Sequence, residues 1–142
     1  FQSVPSEGNR SFVSNYKKRL GQDGVLGDPM EAAYTGVYLW AGAVEAAGSS
    51  DVADIRANVG NIGFKGPGGM TFIEGEDLHA WKKTRIGRIL DDGQFEIVWE
   101  SDNPIRPEPY PLYRSREDWD AFLRSLYQGW GERWYNPGPN AG

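Results

Sequence analysis

The sequence predicts an α/β fold that forms one portion of a larger two-lobed protein, and two observations carry that expectation. The stretch Ile86-Gly87-Arg88-Ile89 is followed by Asp91-Asp92-Gly93 and then Phe95 to Glu100. Asp-Gly supplies the positive φ of a tight turn, so this is a β-hairpin pattern. The chain then runs into Asn103-Pro104-Ile105-Arg106-Pro107-Glu108-Pro109-Tyr110-Pro111, with four prolines in eight residues. Prolines remove backbone donors and hold the chain extended, which excludes helix and central strand there. A hairpin leading into a stiff connector delivers the chain from one packed body to another, as a proline-rich crossover.

The elements follow in order. Phe1-Gln2-Ser3-Val4 reads as the end of a strand whose start is missing, so a truncated, processed or incompletely identified chain is expected. Ser6 is a candidate N-cap for a helix over residues 8–20, with Phe12, Val13, Tyr16 and Leu20 on one face. Gly21 and Gly24 end it. Asp28 is expected to cap a second helix, with Pro29 at its first position and Glu31 in its first turn. Tyr34, Val37, Tyr38, Ala41, Val44 and Ala47 recur at helical steps, which predicts a broad buried face ending at Gly48. Ser50 caps a shorter helix over 51–59, with Val52, Ile55 and Val59 inward. A loop over 60–69 precedes a short strand at 70–73, and the hairpin strands span 84–90 and 95–100. Ser115 with Asp118 resembles a capping box opening a helix over 116–129, striped by Trp119, Phe122, Leu123, Leu126 and Trp130. One body over residues 1–135 and a loose tail over 136–142 are expected, the tail containing two Pro and two Gly.

Composition narrows the function classes. Charged residues make up 25% of 142 and aromatics 13%, which is globular rather than disordered. A net charge of −5, with Lys and Arg interspersed among acids, argues against a nucleic-acid partner. With no Cys, thiolate metal sites, disulfides and a Cys nucleophile are excluded. No apolar run reaches the roughly 18–20 residues of a membrane span, so no direct membrane insertion is expected.

Several segments suggest chemistry and fall short of it. Gly66-Pro67-Gly68-Gly69 lacks the Lys-Ser/Thr ending of a phosphate loop and leads into a strand, so it reads as a turn. His79 is the single histidine; it has no second His or Cys with which to build a transition-metal site, and no serine lies in a nucleophile elbow. The pairs Glu76-Asp77 and Asp91-Asp92 lack the alternating carboxylates of a calcium loop. No enzyme activity, cofactor or metal is therefore expected. Most aromatics lie at core spacing, whereas Trp130 to Tyr135 reads as an exposed interaction patch. Asp28-Pro29-Met30-Glu31 stands apart because a helix N-terminus gathers carboxylates and free N–H groups where clefts are commonly built.

Asp28-Pro29-Met30-Glu31-Ala32-Ala33-Tyr34 and Gly36-Val37-Tyr38-Leu39-Trp40 resemble a helix of the urea-binding proteins of ABC transporters. Arg85-Ile86-Gly87-Arg88-Ile89, Gly93-Gln94-Phe95, Ile97-Val98-Trp99 and the Pro104–Pro111 run resemble that family's closing hairpin and connector. Phe1-Gln2-Ser3 with Asn9, Phe12 and Val13, and His79 before Trp81-Lys82, fit the same pattern. The resemblance runs from residue 1 to about residue 135 and covers the C-terminal part of longer proteins. It implies a type I periplasmic-binding-protein fold, in which two α/β lobes joined by crossovers close on a ligand. It further implies binding of urea or a short-chain amide, delivery to an ABC permease, and a periplasmic location. The rest of that fold would be a partner of this portion. Carried over by residue, the resemblance implies that Asp28, Met30 and Glu31 approach the ligand, with Glu31 accepting amide hydrogens and Met30 lining the wall. An accessory subunit built from a truncated binding-protein fold and an amide-sensing regulator remain alternatives.

Overall fold

A computed structural model describes residues 1–110 and 112–138. Pro111, the last proline of the connector, and residues 139–142 of the expected loose tail lie outside the described residues. The chain divides into two compact units, Phe1–Pro107 and Glu108–Gly142, with the division falling inside the proline-rich run.

The first unit opens with α1 (Glu7–Leu20), whose N-cap is Ser6: the hydroxyl accepts the Asn9 N–H. Among the residues of α1, Asn9 is the buried one, and its amide donates to the carbonyls of Gln2 and Val4. The entering segment is thereby pinned beneath the helix. Phe12, Val13 and Tyr16 are half-buried, whereas Leu20 is exposed.

The second helix, α2 (Asp28–Ala47), begins at Asp28 itself, the residue expected to cap it. Gly27 is the N-cap, with no side-chain bond, and Asp28 is already helical. Its buried residues are Glu31, Thr35, Leu39 and Ala43, an i, i+4 line. This corrects the expected face, since Val37 and Tyr38 are 63% and 45% exposed. The physical reason is that α2 is apolar on nearly every side, so periodicity alone cannot choose which side packs. Small residues choose instead: a Cβ added at Gly66 would meet Thr35 Oγ1 at 2.7 Å, and one at Gly42 would meet Ile62 at 3.1 Å.

Helix α3 (Val52–Asn58) is capped by Asp51, whose Oδ1 accepts the Ala53 N–H, rather than by the expected Ser50. Val52 is exposed, and Ile55 and Val59 are half-buried. The chain then forms a three-stranded antiparallel sheet, β1 (Gly63–Gly66), β2 (Gly69–Ile73) and β3 (Ala80–Trp81), in that order. β1 lies inside the stretch expected to be loop. Gly66 pairs with Gly69, so Pro67-Gly68 forms the hairpin turn. The second sheet is the expected hairpin, β4 (Arg85–Ile89) with β5 (Phe95–Glu100). Gly93 takes φ 77° in its turn, and the register shifts between Ile86 and Gly87. The connector starts as an extended segment: Ile105 bridges antiparallel to Lys82 and donates its N–H to the Lys82 carbonyl at 2.9 Å.

The second unit contains α4 (Arg116–Gly129), with Ser115 as its cap accepting the Asp118 N–H. Its expected stripe is only partly covered. Trp119, Leu126 and Trp130 are half-buried, and Phe122 and Leu123 are each 42% exposed. The Arg114 guanidinium sits 4.4 Å above the Trp119 ring. Trp134 and Tyr135 are exposed, with Trp134 tilted against Tyr127 at 4.6 Å.

Candidate functional site

At the start of α2, Asp28 and Glu31 are one turn apart and therefore neighbours on the helix surface. They differ sharply in environment. Asp28 keeps 70% of its side chain exposed, and Glu31 is fully buried. A buried carboxylate requires partners at both oxygens. Glu31 Oε1 accepts from the Thr35 hydroxyl at 2.9 Å and from the Gly68 N–H at 3.4 Å. Glu31 Oε2 lies 2.8 Å from Lys82 Nζ, which also reaches Asp28 Oδ1 at 3.3 Å. Two of the three expected site residues thus converge on one ammonium contributed by the segment between β3 and β4. Met30 is 46% exposed and takes no part in that cluster.

Behind this pair lies a second ionic group. Arg85 Nη2 donates to the Gly68 carbonyl at 2.7 Å, holding the β1–β2 turn against Glu31. Lys83 Nζ lies 2.8 Å from Glu100 Oε1, and Arg85 Nε pairs with the other oxygen of Glu100. Burial lowers the Lys82 pKa, but its contacts with Glu31 and Asp28 outweigh that, and the net shift is upward. The hydrogen bond from Lys83, with Arg85 adding to it, holds the Glu100 carboxyl below its ordinary range.

These groups open on a cleft of about 580 Å³, whose lining includes Asp28, Lys82, Lys83 and Arg85 together with Phe1 and Phe95. The cleft offers one exposed carboxylate, three cations and two aromatic rings, a mixture suited to holding a small polar solute. A larger depression of about 810 Å³ runs along α1, α2 and β1. Its walls are rings: Tyr38 stacks on Phe64 at 4.4 Å, and Phe12 tilts against Tyr34 at 4.7 Å. It brings no acid and base together, so the smaller cleft carries the functional reading. Among the described residues no metal-binding cluster of His, Cys, Asp or Glu occurs.

Sequence reasoning reached Asp28 and Glu31 through the helix start. It missed Lys82, Lys83 and Arg85, because Lys82 meets Glu31 across 51 positions. The local signal was two adjacent lysines ahead of a strand, a pattern shared with many solvated edges.

A family model described as periplasmic binding protein domain matches residues 1–116. Among curated proteins, limonene hydroxylase of Geobacillus stearothermophilus is 38% identical over 109 residues, covering 77% of this chain and 20% of that protein. Among solved structures, an ABC-type branched-chain amino acid transporter from Rhodopseudomonas palustris CGA009 matches with a TM-score of 0.60 at 19% identity, over 70% of this chain and 28% of its own. A solute binding protein of an ABC transporter from R. palustris BisB5, in complex with 3,4-dihydroxybenzoic acid, matches with a TM-score of 0.61 at 23% identity, over 74% and 30%. Its counterpart from R. palustris HaA2, in complex with p-hydroxybenzoic acid, matches with a TM-score of 0.58 at 22% identity, over 73% and 29%. These likenesses show the fold. The chain spans 20% of that curated relative and 28–30% of these structures.

Proposed function

We propose, for a chain that belongs to the periplasmic binding protein domain family, that it forms part of the solute-binding component of an ABC transporter. Its solute is urea or a short-chain amide, its site is periplasmic, and the liganded form delivers to a permease. The observation that carries this reading is the Asp28–Lys82 pair, 3.3 Å apart at the wall of the 580 Å³ cleft. A carboxylate beside an ammonium offers an acceptor and a donor side by side, and an amide presents the complementary N–H and C=O. Burying the solute then leaves fewer polar groups unpaired, and each unpaired group would be costly. In this reading Asp28 accepts the amide hydrogens and Glu31 holds Lys82 in place, while Met30 lines an outer wall.

A second reading has one specific observation in its favour. Lys83 and Arg85 also line the cleft, with Phe1 and Phe95 beside them, which suits an aromatic or aliphatic carboxylate. Calorimetric titration of the complete gene product with urea, acetamide and p-hydroxybenzoate separates the two. Saturable heat with urea or acetamide is expected. Binding of p-hydroxybenzoate with no response to either amide would replace the first reading by the second.

A further inference from the structure

We propose that Lys82 is a specificity-determining residue of this cleft, donating its remaining N–H to the carbonyl oxygen of an amide solute. The inference rests on the solute-binding reading above and deepens it. An ammonium has three N–H donors. Among the described residues, the contacts of Lys82 with Glu31 at 2.8 Å and Asp28 at 3.3 Å use two of them, and Lys82 lines the cleft with what is left.

Lys82 differs from the two cations beside it. Lys83 and Arg85 both turn to Glu100, which keeps 35% of its side chain exposed. Lys82 is held from behind by a carboxylate with 1% exposure, itself fixed by Thr35 and Gly68. Its backbone is fixed too, through the bridge to Ile105. A long side chain normally loses rotamer freedom when it binds; here that ordering is already in place, so less is lost on association.

The partner chemistry follows from the pair. A primary amide carries its carbonyl oxygen and the N–H syn to it on one edge. Lys82 beside Asp28 presents N–H next to carboxylate oxygen and matches that edge. A carboxylate solute would instead place an acceptor against Asp28 and meet repulsion. Glu31 is a positioning residue, acting on the solute only through Lys82.

The test uses the complete gene product and a panel of urea, thiourea, acetamide, acetate and p-hydroxybenzoate. Lys82→Met alone would strand the buried Glu31 charge, so the informative variant is Lys82→Met with Glu31→Gln, checked for a single cooperative melting transition well above the titration temperature. That variant is expected to lose roughly ten- to hundredfold in affinity for urea and acetamide, the scale of a charge-assisted hydrogen bond. Its preference for urea over thiourea, whose sulfur is the poorer acceptor, should collapse. A folded double variant with affinity and preference intact overturns the assignment. If the unmodified protein takes p-hydroxybenzoate and no amide, the amide reading and the amide-edge role of Lys82 both fail. If it takes amides and the double variant does too, Lys82 alone fails.

Discussion

Glu31 and Lys82 form an ion pair 2.8 Å long in which the carboxylate is buried and the ammonium keeps 28% of its side chain exposed. The pair joins the first turn of α2 to the segment between β3 and β4. A contact this asymmetric matters most when one side of it is removed.

Removing the ammonium leaves a charge with too few partners. Lys82→Ala should cost roughly 3 kcal/mol, the low end for breaking a buried ion pair, because water already reaches the lysine. Adding Glu31→Gln should recover part of that loss, since the residual charge disappears. Thermal unfolding of the two variants in the absence of amides checks this. A Lys82→Ala cost below about 1 kcal/mol would mean that solvent replaces the lysine.

The pH dependence follows from Glu100 and Lys82 with opposite signs. Glu100 has a folded pKa below its ordinary 4.5, so its contribution is fully present above that value and is lost as pH falls through the folded pKa. Lys82 has a folded pKa above 10.5, so its contribution is present below that value and is lost only as pH rises beyond it. Within the range of ordinary buffers the acid limb is therefore the visible one. Glu100→Gln should flatten the fall in melting temperature below about pH 5. An unaltered slope would assign that fall to other carboxylates.

Elements governed by local chemistry were legible in the sequence. Ser6 and Ser115 cap because their hydroxyls need only a backbone N–H three residues on, and Asp91-Asp92-Gly93 turns because Gly93 accepts a positive φ. β1 escaped notice because Gly63-Phe64-Lys65-Gly66 offers one apolar side chain and two glycines, and its pairing partner supplies the order. At the site, the carboxylates were visible as a helix start, but the ammonium that unites them comes from a distant segment. Tertiary convergence of that kind leaves no periodicity to read.

The face of α2 provides a direct test of what covers it. Val37 and Trp40 are 63% and 53% exposed, whereas Leu39 is 7% exposed. In this 142-residue chain, Val37→Lys should change stability by no more than about 0.5 kcal/mol, and Leu39→Ala should cost about 2–4 kcal/mol. If further chain of the complete gene product packs over α2, Val37→Lys should there become as costly as a core substitution. Equal tolerance of lysine in both settings would show that this face remains in water.

Close approach at Gly66 sets the last expectation. A Cβ there would lie 2.7 Å from Thr35 Oγ1 and 3.4 Å from Glu31 Oε1. Thr35 is buried and donates that hydroxyl to Glu31 at 2.9 Å. It is also β-branched, with few alternative rotamers on a helix. The hydroxyl cannot yield without forfeiting a bond to a buried carboxylate, so Gly66→Ala should cost about 1–3 kcal/mol. In a Thr35→Ala background the oxygen it strikes is absent, and the same substitution should cost at least about 1 kcal/mol less, a coupling readable from a double-mutant cycle. Equal costs in the two backgrounds would mean that something other than the Thr35 hydroxyl keeps alanine out.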